Sequence, residues 1–320
     1  MYSEASVLYR RAKDMKKVLF VGGTAFFGKR GVLTLLDGAY EVSVLTRGNV
    51  FPPEFKERVD FIRCDRSDSS ALADVLKGRH FDIVVDQTAS SGADVAAAIS
   101  GLSSRDIEHY LLCSSAAVYP EWHTLHKWAE EEGVVDVVPG AHPFANGKRE
   151  AESAIVSSGL PYTIYRPTIV EGGDDPTGRF QYFVRKIMSQ ESFIIPKDVV
   201  IQHVGADDAA MAINLLIELG PTNSVYNICG DDEMTLEHYC DLMSDILGKP
   251  KCHRAVAREE FLRMNVEMFP GLYDHSLLLS NSRLKKATSY QPGSMMQWLK
   301  DSAEFVVATD AKDDTLELRR

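Results

Sequence analysis

VLFVGGTAFFGKRGV, residues 18–32, passes from an apolar, β-branched run through Gly22, Gly23, Thr24, Ala25, Phe26, Phe27 and Gly28 into a stretch with helical character. A turn of this kind aims backbone N–H groups and a helix N-terminus at one point, where their partial positive charge suits a pyrophosphate. The glycine spacing is GxxxxxG, and Ala25 stands at the middle position, where a third glycine is usual. Its methyl group crowds a ligand slightly. A glycine-rich turn can also do no more than reverse a chain, so the surrounding pattern has to decide between the two.

That pattern is an alternation. Short β-branched runs at 17–21, 41–45, 59–64, 81–86, 109–115 and 162–166 are separated by amphipathic helical stretches, as in stacked βαβ units. The runs starting at 17, 81 and 109 are apolar on both faces, which predicts strands covered by helices on both sides. The expected fold class is α/β: a Rossmann-like doubly wound parallel sheet over residues 15–170, with a smaller C-terminal α/β substrate-binding region over 171–310, partly interleaved with the first. Residues 1–14 read as a disordered extension and 311–320 as a solvated tail.

Composition narrows the partners. A formal charge of −11 disfavours nucleic-acid backbones and anionic membranes, leaving a small molecule as the expected ligand. Five cysteines without CxxC spacing argue for reduced, mostly buried thiols and against a zinc site or a disulfide framework. With no run of 18 apolar residues and no apolar leader, the expected location is the cytoplasm.

Two further residues bear on the ligand. Arg47 follows the second strand, where a basic group pairs with a 2′-phosphate and so favours NADP(H) over NAD(H); a solvent-facing loop charge is the plain alternative. Asp65, after the third strand, is placed to accept a hydrogen bond from an adenine amino group.

With these residues in view, the chain resembles the extended or atypical branch of the short-chain dehydrogenase/reductase superfamily, in its NAD-dependent epimerase/dehydratase group, over about residues 15–305. The likeness rests on the glycine loop and CDRSD (64–68), on LLCSSAAVYP (111–120), on LPYTIYRPTIVEGG (160–173), on QHVGADDAAMAI (202–213) and on the strand and helix of 224–250, all in the family's order. The resemblance implies cofactor contacts from residues 22–28, from Thr46 and Arg47, from Asp65 and Arg66, from Gln87, Thr88 and Ala89, from Lys148, and from Pro167 and Thr168. It also implies a catalytic Ser115, and it matches Lys148 to the lysine of a YxxxK motif. Some chloroplast relatives bind RNA, which the acidic charge disfavours here.

One departure stands out. In HPFANGKREAES, residues 142–153, the family's tyrosine position holds Phe144. The missing phenol normally exchanges a proton as hydride moves, a contribution of about 10²–10⁴ in rate. Lys148 is the leading substitute, with ribose binding alone as its other reading. His142 is a further candidate, since histidine side chains exchange protons near neutral pH, but it reads more readily as an exposed loop residue, and Tyr119 reads more readily as pocket lining than as catalytic.

Phe144, Arg179, Tyr182 and Arg283 are the candidate substrate contacts, and Arg185 extends the basic face of Arg179 and Tyr182, unless that face is merely solvated. Asp207 and Asp208 read as helix caps more readily than as acids. Two functions follow: an NADP(H)-dependent oxidoreductase or epimerase acting on a hydroxyl or keto group of a sugar-like or nucleotide-sugar substrate, or a non-catalytic NAD(P)-binding sensor or scaffold. The resemblance also implies a possible homodimer.

Overall fold

A computed structural model of the chain describes residues 15–102, 107–120, 122–133, 136–264 and 273–317. The expected N-terminal extension lies outside the described residues. The chain divides into two compact units, the first comprising residues 1–118, 134–166 and 210–226, the second 119–133, 167–209 and 227–320.

The first unit is built on a sheet whose strands are β1 (Lys16–Val21), β2 (Tyr40–Thr46), β3 (Asp60–Arg63), β4 (Ile83–Asp86), β5 (His109–Cys113), β6 (Tyr162–Pro167) and β7 (Ser224–Ile228). Their spatial order is β7-β6-β5-β4-β1-β2-β3, and β1 pairs in parallel with both β2 and β4. The order reverses at β1, which is the doubly wound arrangement the sequence predicts, with a crevice at the strand ends where the direction changes. Six strands fall within a few residues of the predicted runs. The seventh, β7, completes the sheet beside β6.

β4 and β5 are buried along their whole length. This explains their unbroken apolar sequence, since helices cover both of their faces. Leu19, Val84, Val95, Leu112, Ala151 and Ile164 meet in one core, and each fully buried leucine, valine or isoleucine side chain among them contributes about 1.5–3 kcal/mol. The register matters most for function. Val21 is level with Leu45 and with Asp86, and Cys113 is level with Tyr165, so the residues that follow these strands emerge along one edge.

The crossover helices are α1 (Phe26–Asp37), α2 (Ser69–Leu76), α3 (Gly92–Gly101) and α4 (Pro143–Ser157). Asp68 caps α2 by accepting from the Ser70 and Ala71 N–H groups, Ser91 caps α3, and the His142 ring caps α4, whose first residue is a proline. At α1 the capping position is Ala25, which has no side-chain acceptor.

In the second unit α5 (Arg179–Ser189), α7 (Leu236–Ile246) and α10 (Met295–Glu317) are long helices; α6 (Ala206–Leu219) enters from this unit and continues into the first, and α8 (Arg258–Arg263) and α9 (Ser282–Ala287) are short. Phe183, Tyr239, Tyr273 and Leu299 anchor its core. The β-branched stretch VVIQHV, residues 199–204, holds two short strands rather than one. Gln202 interrupts it, exchanging hydrogen bonds with the Leu279 backbone and donating to Gly230 O, which leaves two-residue strands on either side. α10 also runs to Glu317, so residues 311–317 are helical where the sequence suggests a tail.

Candidate active site

The glycine turn is held tightly. Gly22 and Gly23 adopt φ of +100° and +80°, a region that side chains other than glycine's rarely enter. A Cβ on Gly22 would approach Thr88 Cγ2 to 2.7 Å, and one on Gly28 would drive into the Gln87 amide. Gly22 N–H donates to Leu45 O, so the turn is tied to β2. With no side chain capping α1, its first N–H groups are left for an anion. Thr24, Phe26 and Phe27 complete the loop; Phe26 is buried, lies at φ +54° and packs edge-on against Phe27 at 5.5 Å.

Thr46 ends β2, and the exposed Arg47 follows it. Past β3, the Asp65 carboxyl is held below the usual range by the N–H and hydroxyl of Ser67. Arg66, expected beside Asp65 as a cofactor contact, is committed elsewhere. Its guanidinium donates to both oxygens of the fully buried Asp86, at 2.5 and 2.9 Å, and to Thr88 Oγ1. Asp86 also accepts from the N–H groups of Thr88 and Ala89 and from the Tyr110 hydroxyl. Burial and this carboxylate push the Tyr110 phenol well above its ordinary value. The Gln87–Ala89 turn is thereby fixed from below, and among the described residues Gln87 Oε1 is buried without a hydrogen-bond partner. The residues present fit a dinucleotide: a glycine cradle, an uncapped helix start and an unpaired amide oxygen all lie at the ends of β1 and β4.

Lys148 is 6% exposed. Its ammonium donates to Ala89 O at 2.6 Å and to Cys113 O at 2.8 Å, linking the ends of β4 and β5. Ser115, two residues beyond Cys113, is half-buried and accepts from Ala117 N–H. The Phe144 ring, 45% exposed, lies 5.7 Å from the Lys148 ammonium. Beside the lysine this ring offers no hydroxyl. His142 Nδ1 accepts from Phe144 N–H as the helix cap.

Beneath Lys148 lies a group that the sequence reading missed. Glu152, one helical turn on, receives a two-pronged ion pair from Arg166 at 2.8 and 2.6 Å and a hydrogen bond from the Ser114 hydroxyl, all in the buried interior. The available signal was the i,i+4 spacing of Lys148 and Glu152, which puts both on one helix face. Gly147 explains how α4 comes so close, since a Cβ there would meet the backbone of Ser90.

In the second unit, Pro167 ends β6 and Thr168 N–H donates to Ile228 O. Tyr119 is fully buried; its hydroxyl donates to Asn227 Oδ1 at 2.6 Å and its ring stacks on Trp128. The cations among the candidate substrate contacts, and Arg185 beside them, have carboxylate neighbours: Arg179 with Asp175, Arg185 with Asp310, Arg283 with Glu130 and Glu131. Tyr182 packs against Phe183 and Phe193. Asp207 and Asp208 lie in the first turn of α6, as expected for a helix start. A second unforeseen group is Glu171, buried among His203, Tyr239 and Tyr273; burial raises its carboxyl, but His203 and the two phenols bring it below the ordinary value.

Residues 18–229 match the model of the NAD dependent epimerase/dehydratase family. The chain belongs to this family. It is 26% identical over 266 residues to the chloroplast stem-loop binding protein of 41 kDa b from Arabidopsis thaliana, covering 78% of this chain and 68% of that one. Among solved structures it is similar to a dTDP-glucose 4,6-dehydratase from Streptomyces venezuelae with NAD bound, at 22% identity and a TM-score of 0.73, over 90% of this chain and 96% of that one. It is also similar to a UDP-glucose 4-epimerase from Thermotoga maritima, at 19% identity and a TM-score of 0.73, over 92% and 99%. At these identities the structural likeness is one of fold. Among the described residues no helix is long and apolar enough to cross a membrane.

Proposed function

We propose that the chain is an NADP(H)-dependent oxidoreductase or epimerase acting on a hydroxyl or keto carbon of a nucleotide-sugar-like substrate, with Lys148 and Ser115 handling the proton in place of the absent tyrosine. The observation that carries this reading is the Lys148 ammonium, buried and gripped by Ala89 O and Cys113 O, two residues from Ser115. When bound, a nicotinamide supplies the hydride acceptor or donor. Residues 22–28 and the start of α1 bind the pyrophosphate, and Arg47 selects the phosphorylated ribose.

The proton chemistry falls to what remains. Two of the three Lys148 N–H groups go to carbonyls, and the third serves the substrate oxygen or the ribose beside it. Ser115 Oγ accepts from Ala117 N–H and keeps its own proton to donate to a substrate oxygen. Phe144 adds an apolar wall that excludes water where the phenol would stand.

The same geometry favours a second reading, a nicotinamide sensor without turnover. The carbonyl grip satisfies Lys148 without a substrate, and Phe144 offers no proton. RNA binding, suggested by the name of the Arabidopsis relative, is opposed by the −11 charge of this chain.

The test mixes protein, NADPH and a panel of nucleotide-linked keto-sugars and follows loss of the reduced nicotinamide. Turnover in the wild type that drops about 10²–10⁴-fold in Lys148→Ala, while NADPH still binds, is the expected result. Tight NADPH binding with no turnover anywhere in the panel replaces the enzyme with the sensor, and failure to bind either pyridine nucleotide removes both.

A further inference from the structure

The arginines of the first unit are unevenly partnered. Arg58 meets Asp37, Arg66 meets Asp86, Arg79 meets Asp60 and Arg166 meets Glu152. Arg47 and Arg63 are both exposed, and among the described residues neither guanidinium has a carboxylate partner. They are also neighbours. Arg63 is the last residue of β3, level with Thr46 of β2, so Arg47 follows directly beside it.

The Arg63 side chain is drawn across the end of β2. Its Nε donates to Arg47 O at 3.2 Å. Gly48, at φ +83°, lies so flat against the arginine stem that a Cβ would come within 3.1 Å of Arg63 Cδ and Nε. The Nε bond fixes the stem, and among the described residues the two terminal nitrogens have no protein acceptor. Asp65, the acidic side chain closest in sequence, spends Oδ1 on Ser67. In a chain of net charge −11, two arginines at neighbouring positions of the sheet edge thus have no ion-pair contact with a carboxylate among the described residues, and the Asp65 carboxylate acts on Arg47 only from a distance.

We propose that Arg47 and Arg63 act together as a two-arginine clamp for a phosphomonoester dianion, the 2′-phosphate of NADP(H), with Arg63 as a specificity-determining residue. The inference rests on the dinucleotide reading above and adds to it the second cation. A guanidinium presents paired N–H donors that match phosphate oxygens. Two of them flanking one dianion give a preference that a single loop arginine does not.

The competing role for Arg63 is a latch that merely shapes the turn at Gly48. Arg63→Met keeps the stem against Gly48 and removes the charge, and so separates the two. Binding of NADPH, NADH, 2′,5′-ADP and 5′-ADP is measured by titration calorimetry on the full chain. The expected outcome is a loss of about ten- to a hundredfold for NADPH and 2′,5′-ADP, as for one or two charge-assisted hydrogen bonds, with NADH and 5′-ADP within twofold of wild type. Equal losses for all four ligands make Arg63 a latch and overturn the proposal. So does an unchanged NADPH affinity in Arg63→Met when Arg47→Met loses it, or a wild type that binds NADPH and NADH alike; in these cases the dinucleotide reading stands. A wild type that binds none of the four overturns that reading and the clamp with it. If Arg63→Met does not fold, Arg63→Lys takes its place, with a several-fold loss confined to the 2′-phosphorylated ligands expected and no loss counting against the clamp.

Discussion

Glu152→Gln is expected to be among the most damaging isosteric changes available to the first unit. Glu152 is fully buried and Arg166 is 1% exposed, and the two share parallel bonds of 2.8 and 2.6 Å. The amide keeps the shape but loses the charge, and it turns an NH₂ group towards a guanidinium that has no water to retreat to. Breaking a buried pair by removing one partner costs about 3–5 kcal/mol, most of it the penalty of the stranded charge. With an m-value of about 3 kcal/mol per molar urea, the unfolding midpoint should fall by about 1–2 M. Far-UV circular dichroism is the right probe, because Trp122, Trp128 and Trp298 all lie in the second unit. Removing both charges, as Glu152→Met with Arg166→Met, should recover most of the loss, since an apolar pair of similar volume strands nothing. A single variant that loses less than about 1 kcal/mol, or a double variant no better than the single, would show that the pair does not behave as a desolvated unit.

Two other outcomes test the site and its scaffold. Phe144→Tyr should change turnover by less than about tenfold if Lys148 and Ser115 complete the proton path; a rise of about 10²–10⁴ in steady-state rate would show that the natural site lacks an acid. Burial, reinforced by the charge of Lys16, pushes the His109 imidazole down to about 4, whereas unfolded histidine titrates near 6.5. Between these values the unfolded chain binds the extra proton, so stability is full above pH ~6.5 and declines by about 3 kcal/mol as pH falls to ~4. In His109→Asn that part of the slope in urea titrations should vanish.

The sheet was legible because strands buried on two faces write themselves as continuous apolar runs, and β4 and β5 are buried at every position. β7 was harder. SVYNI reads as a strand, but its place in the sheet depends on β6, about 60 residues earlier, through contacts such as Asn223 N–H to Tyr162 O. The same distance in sequence hid the polar framework of the site. Arg66 looks like a ligand contact because it adjoins Asp65, and nothing local announces that Asp86 claims it. Nothing local in the sequence singles out Arg63, and its relation to Arg47 exists only once β2 and β3 are in register. Lys148 and the glycine loop stand out in the sequence because their spacing is local.

Phe26 has a quieter consequence. A non-glycine residue with left-handed backbone at the first position of a helix carries about 1–3 kcal/mol of strain, and here a buried ring wedged beside Phe27 holds it there. The hydrophobic interior thus shapes the turn ahead of any visitor. On the proposed reading, a diphosphate would meet a turn whose backbone is already held in place, so little of its attraction would be lost to ordering a floppy mouth.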